Sequence, residues 1–186
     1  MDSISDSLTQ ENIPCLSISV YHPGDKEEDV FSFITFNEPQ TYEAYEIVTF
    51  GRKNTCNFQL KHERASRLQF QLEALVGANC SDLQFEIKNL SNRFALYING
   101  NKLSYLQKQL LPCQSVIQFT EFQFLLEHAG GDSVSKFQVV IQKGTPLPHL
   151  NMDARYPRSE AHFSKCQHDP REPIEVDEDL NQYMLS

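Results

Sequence analysis

Apolar residues recur at every second position in three separate stretches of this chain, a rhythm that suits extended backbone and not a helix. Leu16, Ile18 and Val20 alternate with Ser17 and Ser19. Leu68, Phe70 and Leu72 alternate with Gln69, Gln71 and Glu73, and Leu83, Phe85 and Ile87 with Gln84, Glu86 and Lys88. Successive side chains of a strand project to opposite faces, so each stretch predicts a strand with one buried and one wet face. Further β-rich runs cover Val30 to Phe36, Ile47 to Phe50, Ala95 to Ile98, Ser115 to Phe119, Phe122 to Leu126 and Phe137 to Gln142. Turn signals separate them at His22-Pro23-Gly24-Asp25, Asn99-Gly100-Asn101 and Gly130-Gly131-Asp132, and Asn99-Gly100 reads as a hairpin tip. Many short strands with almost no helical periodicity predict an all-β sandwich over residues 15–143.

The ends differ in composition. Residues 1–14 read as a flexible N-terminal arm, polar and acidic in its first twelve positions, and residues 144–186 as a disordered tail in which prolines cluster at 146, 148, 157, 170 and 173. With 186 residues, 40% of them hydrophobic, the chain has material for one core of ordinary domain size. No apolar run is long enough to cross a bilayer, and Met1-Asp2-Ser3 does not begin a signal peptide, so a cytoplasmic protein without membrane contact is expected. Cys15, Cys56, Cys80, Cys113 and Cys166 are odd in number and scattered, which suits reduced thiols.

Against this background the polar residues at strand ends are informative. Gly51-Arg52, Ser66-Arg67 and Lys88-Asn89 each stand where a strand gives way to a loop, and a sandwich gathers its loops at its ends, so the three can converge on one anion. Arg52 offers a planar fork of donors suited to phosphate, Ser66 a short O–H donor, and Asn89 an amide able to grip a peptide backbone. Lys88 and Arg67 add charge, and Gly51 fits a bend where backbone passes close to a ligand or takes positive φ. Between Arg52 and Arg67 stand Lys53, Lys61, His62 and Arg64 against the single acid Glu63, on a chain of formal net charge -9. A basic island on an acidic protein points to a specific anion site and away from nucleic acid. The expected ligand is a phosphorylated side chain.

The same residues resemble the forkhead-associated (FHA) domain family, β-sandwiches that read phosphothreonine peptides. The resemblance runs through Phe50-Gly51-Arg52, Ser66-Arg67-Leu68-Gln69-Phe70, Ile87-Lys88-Asn89-Leu90-Ser91 and Tyr97-Ile98-Asn99-Gly100-Asn101-Lys102-Leu103, and covers the whole predicted sandwich. Two positions depart from the family pattern. Gln69 stands where a loop-bracing His is usual, and Phe94-Ala95 stand where the family has Asn-Gly. The second departure leaves the backbone-gripping role to Asn89 or Asn92, with Asn89 ranked first.

The arm bearing Thr9 and the start Cys15-Leu16 to Val20-Tyr21-His22-Pro23-Gly24 narrow the resemblance, within that family, to innate-immune signalling adaptors. It implies that Thr9 is phosphorylated by an upstream alpha-kinase and captured by the pocket of another copy, that the protein is dimeric, and that phosphorylation builds higher oligomers. A fully extended arm from Thr9 to Cys15 reaches only about 20 Å at roughly 3.5 Å per residue, which favours capture in trans. In the tail, Pro173-Ile174-Glu175-Val176-Asp177-Glu178 fits a pattern recognised by TNF-receptor-associated factor 6, with Pro173, Glu175 and Glu178 as the contact residues and other TRAF proteins as further candidates. The expected output is NF-kappa-B signalling.

Enzymatic readings have little support. His162, Cys166 and His168 lack a second cluster to complete a metal site, Ser66 is not set in a nucleophile elbow, and no phosphate-cradling Gly-rich loop or paired acids stand out, so no catalytic residue, metal or cofactor is assigned. Three alternatives stay open: a phosphothreonine reader for a foreign phosphoprotein, a relative that restrains the pathway, and a hydrolase-like enzyme acting through Ser66.

Overall fold

The computed structural model describes residues 12–77 and 82–147. Thr9, Cys80, His162, Cys166, His168 and the tail motif Pro173, Glu175 and Glu178 lie outside the described residues. Among the described residues twelve strands follow one another: β1 (Cys15–Tyr21), β2 (Gln40–Glu43), β3 (Ile47–Gly51), β4 (Phe58–Gln59), β5 (Phe70–Val76), β6 (Leu83–Asn89), β7 (Leu96–Ile98), β8 (Asn101–Leu103), β9 (Lys108–Leu110), β10 (Gln114–Phe119), β11 (Phe122–Ala129) and β12 (Lys136–Lys143). They form a seven-stranded sheet in the order β2-β12-β1-β11-β10-β7-β8 and a five-stranded sheet in the order β4-β3-β5-β6-β9. Neighbours are antiparallel except β1 with β12 and β3 with β4, which run parallel. Among the described residues, no helix is long and apolar enough to cross a membrane.

The alternation read from the sequence appears directly in β1, where Leu16, Ile18 and Val20 are buried and Ser17 and Ser19 half-buried, and again in β6. Asn99-Gly100 is the two-residue tip between β7 and β8, with φ of 49° and 80°, the positive pair that a type I′ hairpin requires. Two expectations need correction. Val30 to Phe36 forms no strand. It follows a single helical turn, α1 (Asp25–Glu28), and continues in tight turns, Ser32 N–H to Asp29 O and Ile34 N–H to Phe31 O, that bury Val30, Phe31 and Ile34 while Phe33 is 60% exposed. Its β-branched composition thus serves burial in an irregular segment. Leu68 likewise precedes β5 and stands exposed in the loop before it.

The sheets close over a phenylalanine core. Phe50 stacks on Phe70 at 4.5 Å between centroids, Phe124 meets Phe70 edge-on at 5.6 Å, and Phe119 stacks on Phe122 at 4.7 Å. All five rings are essentially inaccessible to water, and burial of each contributes on the order of 1.5–3 kcal/mol before the cost of ordering. These contacts also align the two sheets end to end. Phe124 pairs with Val20 and Phe70 with Asn89, whereas Phe85 packs on His128, which pairs with Leu16. The end of the sandwich at Phe70 and Asn89 is therefore the end at which β1 finishes, and Cys15 enters at the other. There the entering chain is fixed: Asn12 O accepts N–H groups of Asp132 and Ser133, and Pro14 O accepts Gln138 N–H.

Two imidazoles in this core have consequences for stability. His22, packed on Phe122, uses Nδ1 to accept Gly24 N–H, and its Nε2 is buried without a partner; Nε2 of His128 is buried likewise. Burial lowers the pKa of both, and for His22 the nearby His62 lowers it further, against the opposing pull of Glu121, Glu28 and Asp25, while Asp82 opposes the shift of His128. Unfolding restores the ordinary value of about 6.5, so the unfolded chain binds more protons below that pH and stability falls as the pH drops through it towards the depressed folded values. The urea midpoint of the full chain is accordingly expected to decrease from pH 7.5 to pH 5.5, with a shallower decrease for His128→Gln; an unchanged slope in that variant would contradict the assignment.

Candidate functional site

At its C-terminal end, β3 is driven against the segment that leads into β5. Phe50 O accepts Gln69 N–H at 2.8 Å, Arg52 N–H donates to Ser66 O at 2.9 Å, and Lys53 N–H donates to Arg67 O at 3.1 Å. Gly51 lies where these bonds are tightest. A Cβ there would stand 2.4 Å from Arg67 O and 3.0 Å from Gln69 N, so the position requires glycine for close backbone approach, and its φ is not positive. The crossing sets Arg52 and Ser66 on one rim.

That rim borders a cavity of about 480 Å3 lined by Arg52, Lys53, Ser66, Arg67, Ser91, Asn92 and Arg93 among others. Arg52 is exposed and anchored by Nε, which donates to Ala65 O at 3.3 Å, and no carboxylate pairs with its guanidinium among the described residues. Ser66 is held on two sides: its N–H donates to Oε1 of the buried Gln69 at 3.0 Å, and its Oγ lies 2.7 Å from Ser91 Oγ. Gln69 thus braces the loop where the family usually has histidine. Cys56, buried below the rim, donates Sγ–H to Arg67 O at 3.4 Å, and burial pushes its thiol pKa up, which keeps it protonated. The arrangement presents donors and positive charge to an open hollow, which suits an anionic ligand.

Of the residues expected from the sequence, Gly51, Arg52, Ser66 and Arg67 come together here. Asn89 requires correction. It is 2% exposed and lies beneath the loops, Nδ2 donating to Leu103 O at 2.9 Å and Oδ1 accepting Ser91 N–H at 2.9 Å, so its amide is committed internally. Asn92 is the asparagine in the lining. Lys88 projects from the outward face of β6, two residues before Leu90 of the lining, and is not itself part of it. The basic island also divides. Lys61, His62 and Arg64 line a second hollow together with Glu28, Glu63 and Glu121; there His62 pairs with Glu28 at 3.0 Å and Arg64 pairs with Glu121. Sequence reading missed Ser91 and Arg93 as lining residues. Their signal was their place in the loop that follows Asn89, where the backbone must turn back over the cavity.

Comparison with known proteins agrees with this geometry. The family model described as "FHA domain" matches residues 48–120, the span that includes the Gly51 crossing and both loops of the cavity. Human "TRAF-interacting protein with FHA domain-containing protein A" is 35% identical over 182 residues, 96% of this chain and 98% of the relative. Its Xenopus tropicalis counterpart is 36% identical over 144 residues, 77% of this chain and 81% of the relative, and mouse "TRAF-interacting protein with FHA domain-containing protein B" is 28% identical over 122 residues, 66% and 80% respectively. The fold is an FHA-type β-sandwich. The chain belongs to the family of TRAF-interacting proteins with an FHA domain.

The crossing gives a direct test. Gly51→Ala must push Arg67 backbone away and is expected to cost at least about 2 kcal/mol by denaturant unfolding, whereas Gly130→Ala, with nothing within 4 Å of the added carbon, should leave the midpoint unchanged.

Proposed function

We propose that this protein is a non-catalytic cytoplasmic signalling adaptor whose cavity captures phosphorylated Thr9 of another copy, building oligomers that present the tail motif to TNF-receptor-associated factor 6 and so feed NF-kappa-B signalling. Arg52 and Ser66 bind the phosphate, Arg67 with Lys53 and Lys88 contribute positive charge, Gly51 permits the crossing, and Asn92 takes the backbone-gripping role first considered for Asn89. The relatives' printed names support the TRAF connection, and the identity to the A-type relatives is higher than to the B-type relative.

The observation that carries the in-trans reading is where the chain is held. Asn12 is tied to the loop before β12, at the end of the sandwich opposite the cavity. Thr9 is three residues upstream, a reach of roughly 10 Å at full extension, while β1 alone, with 7 residues, spans about 20 Å. A copy therefore cannot fill its own cavity with its own Thr9. Arm-to-cavity capture between copies is heterologous and need not close on itself, so it can propagate.

Phosphorylation acts as the switch through charge. It adds roughly -1.5 to -2 charges, and each hydrogen bond from a charged donor contributes on the order of 1.5–3 kcal/mol. One site then binds only modestly, but in a dimer two arms and two cavities engage together, and effective concentration raises net binding by roughly 100-fold or more.

In light scattering after size exclusion, kinase-treated parent protein should form large species that Thr9→Ala and Arg52→Ala do not. Arg52→Ala should weaken a phosphothreonine-9 peptide at least about thirtyfold, the loss of one or two charge-assisted bonds. Assembly that survives Thr9→Ala would redirect the cavity to a foreign phosphoprotein. Separately, Glu175→Ala should retain the large species and lose capture of TNF-receptor-associated factor 6; unchanged capture would remove the tail motif from the scheme.

A further inference from the structure

Beside the cavity, Ser91 is a buried hydroxyl, 3% exposed, that belongs to the lining yet is shielded from water. Its Oγ accepts Phe94 N–H at 3.0 Å and lies 2.7 Å from Ser66 Oγ. A serine hydroxyl carries one proton and two acceptor sites. If Ser66 donated to Ser91, Ser91 Oγ would accept twice, and its own proton would be left buried without an acceptor, since no other hydrogen bond reaches it among the described residues. Leaving a buried donor unmet is costly. The consistent arrangement is the reverse one: Phe94 N–H donates to Ser91 Oγ, Ser91 O–H donates to Ser66 Oγ, and the proton of Ser66, with its oxygen already accepting, is free to point into the cavity.

From this geometry we infer that Ser91 is a positioning residue that aims the Ser66 proton at the bound phosphate. The inference rests on the reading of the cavity as a phosphothreonine site. Hydrogen bonds in such a chain polarise one another, strengthening each by about 10–30%, so Ser66 becomes a better donor to an anion than an isolated serine. The same chain ties the β4–β5 loop to the β6–β7 loop, so that donor direction and loop spacing are set by one contact. It also uses Phe94 through its backbone alone, which fits the presence here of Phe94-Ala95 in place of the family's Asn-Gly.

The test uses the full chain, unphosphorylated, with a synthetic peptide of residues 4–14 phosphorylated at Thr9. Affinity is measured by calorimetry for the parent, Ser66→Ala, Ser91→Ala and the double variant, and the second ionisation of the bound phosphate is followed by phosphorus NMR. Ser91→Ala is expected to weaken binding about tenfold and to raise the pH at which the bound phosphate loses its second proton. In the Ser66→Ala background it should change neither quantity, because Ser91 acts only through Ser66. Ser91→Thr, which keeps the hydroxyl, should stay within about threefold of the parent. Additive losses in the double variant, or an unchanged phosphate ionisation, would show a purely structural role and overturn the inference while leaving the phosphothreonine site standing. Parent protein that does not bind the peptide, or binding that Arg52→Ala leaves intact, would overturn the site reading itself, and this inference with it.

Discussion

The cavity exists because two stretches of backbone meet without a side chain between them. At Gly51 the end of β3 approaches Arg67 more closely than any Cβ would permit, and the flanking hydrogen bonds from Arg52, Lys53 and Gln69 are the product of that approach. Directly beneath, Phe50 and Phe70 stack across the same strand pair. The rim residues therefore stand on a packed, hydrogen-bonded platform and not on free loops, and a binding constellation gains most when its supports are rigid before ligand arrives. Gln69 extends the platform upward, one buried amide joining the strand start to the backbone of Ser66.

Charge is sorted around that platform. Over the described residues three of the twelve lysines and arginines are paired with an acid: Arg64 with Glu121, Lys108 with Glu86 and Lys143 with Asp25. Such exposed pairs contribute little stability individually, about 0–1 kcal/mol. Their larger effect is on the field. With those charges neutralised locally, Arg52, Lys53, Arg67 and Arg93 gather at one cavity without an acid in its lining, on a chain of net charge -9. An anion approaching such a surface is guided to one place.

Alternation made the sheets legible from sequence, because a strand with one wet face writes its geometry into every second residue, as β1 and β6 do. The Asn99-Gly100 tip was legible for an equally local reason, the positive φ demanded at both positions. What escaped were elements whose residues are set by tertiary neighbours: the four-residue β2, the two-residue β4, the three-residue β8 and β9, and the Val30 to Phe36 segment, whose apolar residues reach the core from turns. Arg52 and Ser66 line the cavity, as their places at strand ends led one to expect, Arg52 exposed and Ser66 half-buried. Asn89 was misjudged because an amide suits a ligand and a buried carbonyl equally, and only the position of Leu103 O decides between them. Ser91 was invisible for a similar reason, since a serine announces nothing until its 2.7 Å neighbour is known.

The parallel pairing of β1 with β12 has a consequence for assembly. Because the two strands run in the same direction, Lys143 finishes beside Val20, Gly144 N–H donates to Val20 O, and Leu147 N–H reaches Gln123 at 2.9 Å. Residues 144–147 thus lie at the end of the sandwich that holds the cavity, while Asn12 is held at the opposite end. In the head-to-tail assembly proposed above, each junction would bring the end at which β1 begins in one molecule to the end at which β12 finishes in the next, so residues 144–147 would recur at every junction, at a spacing set by the length of one sandwich.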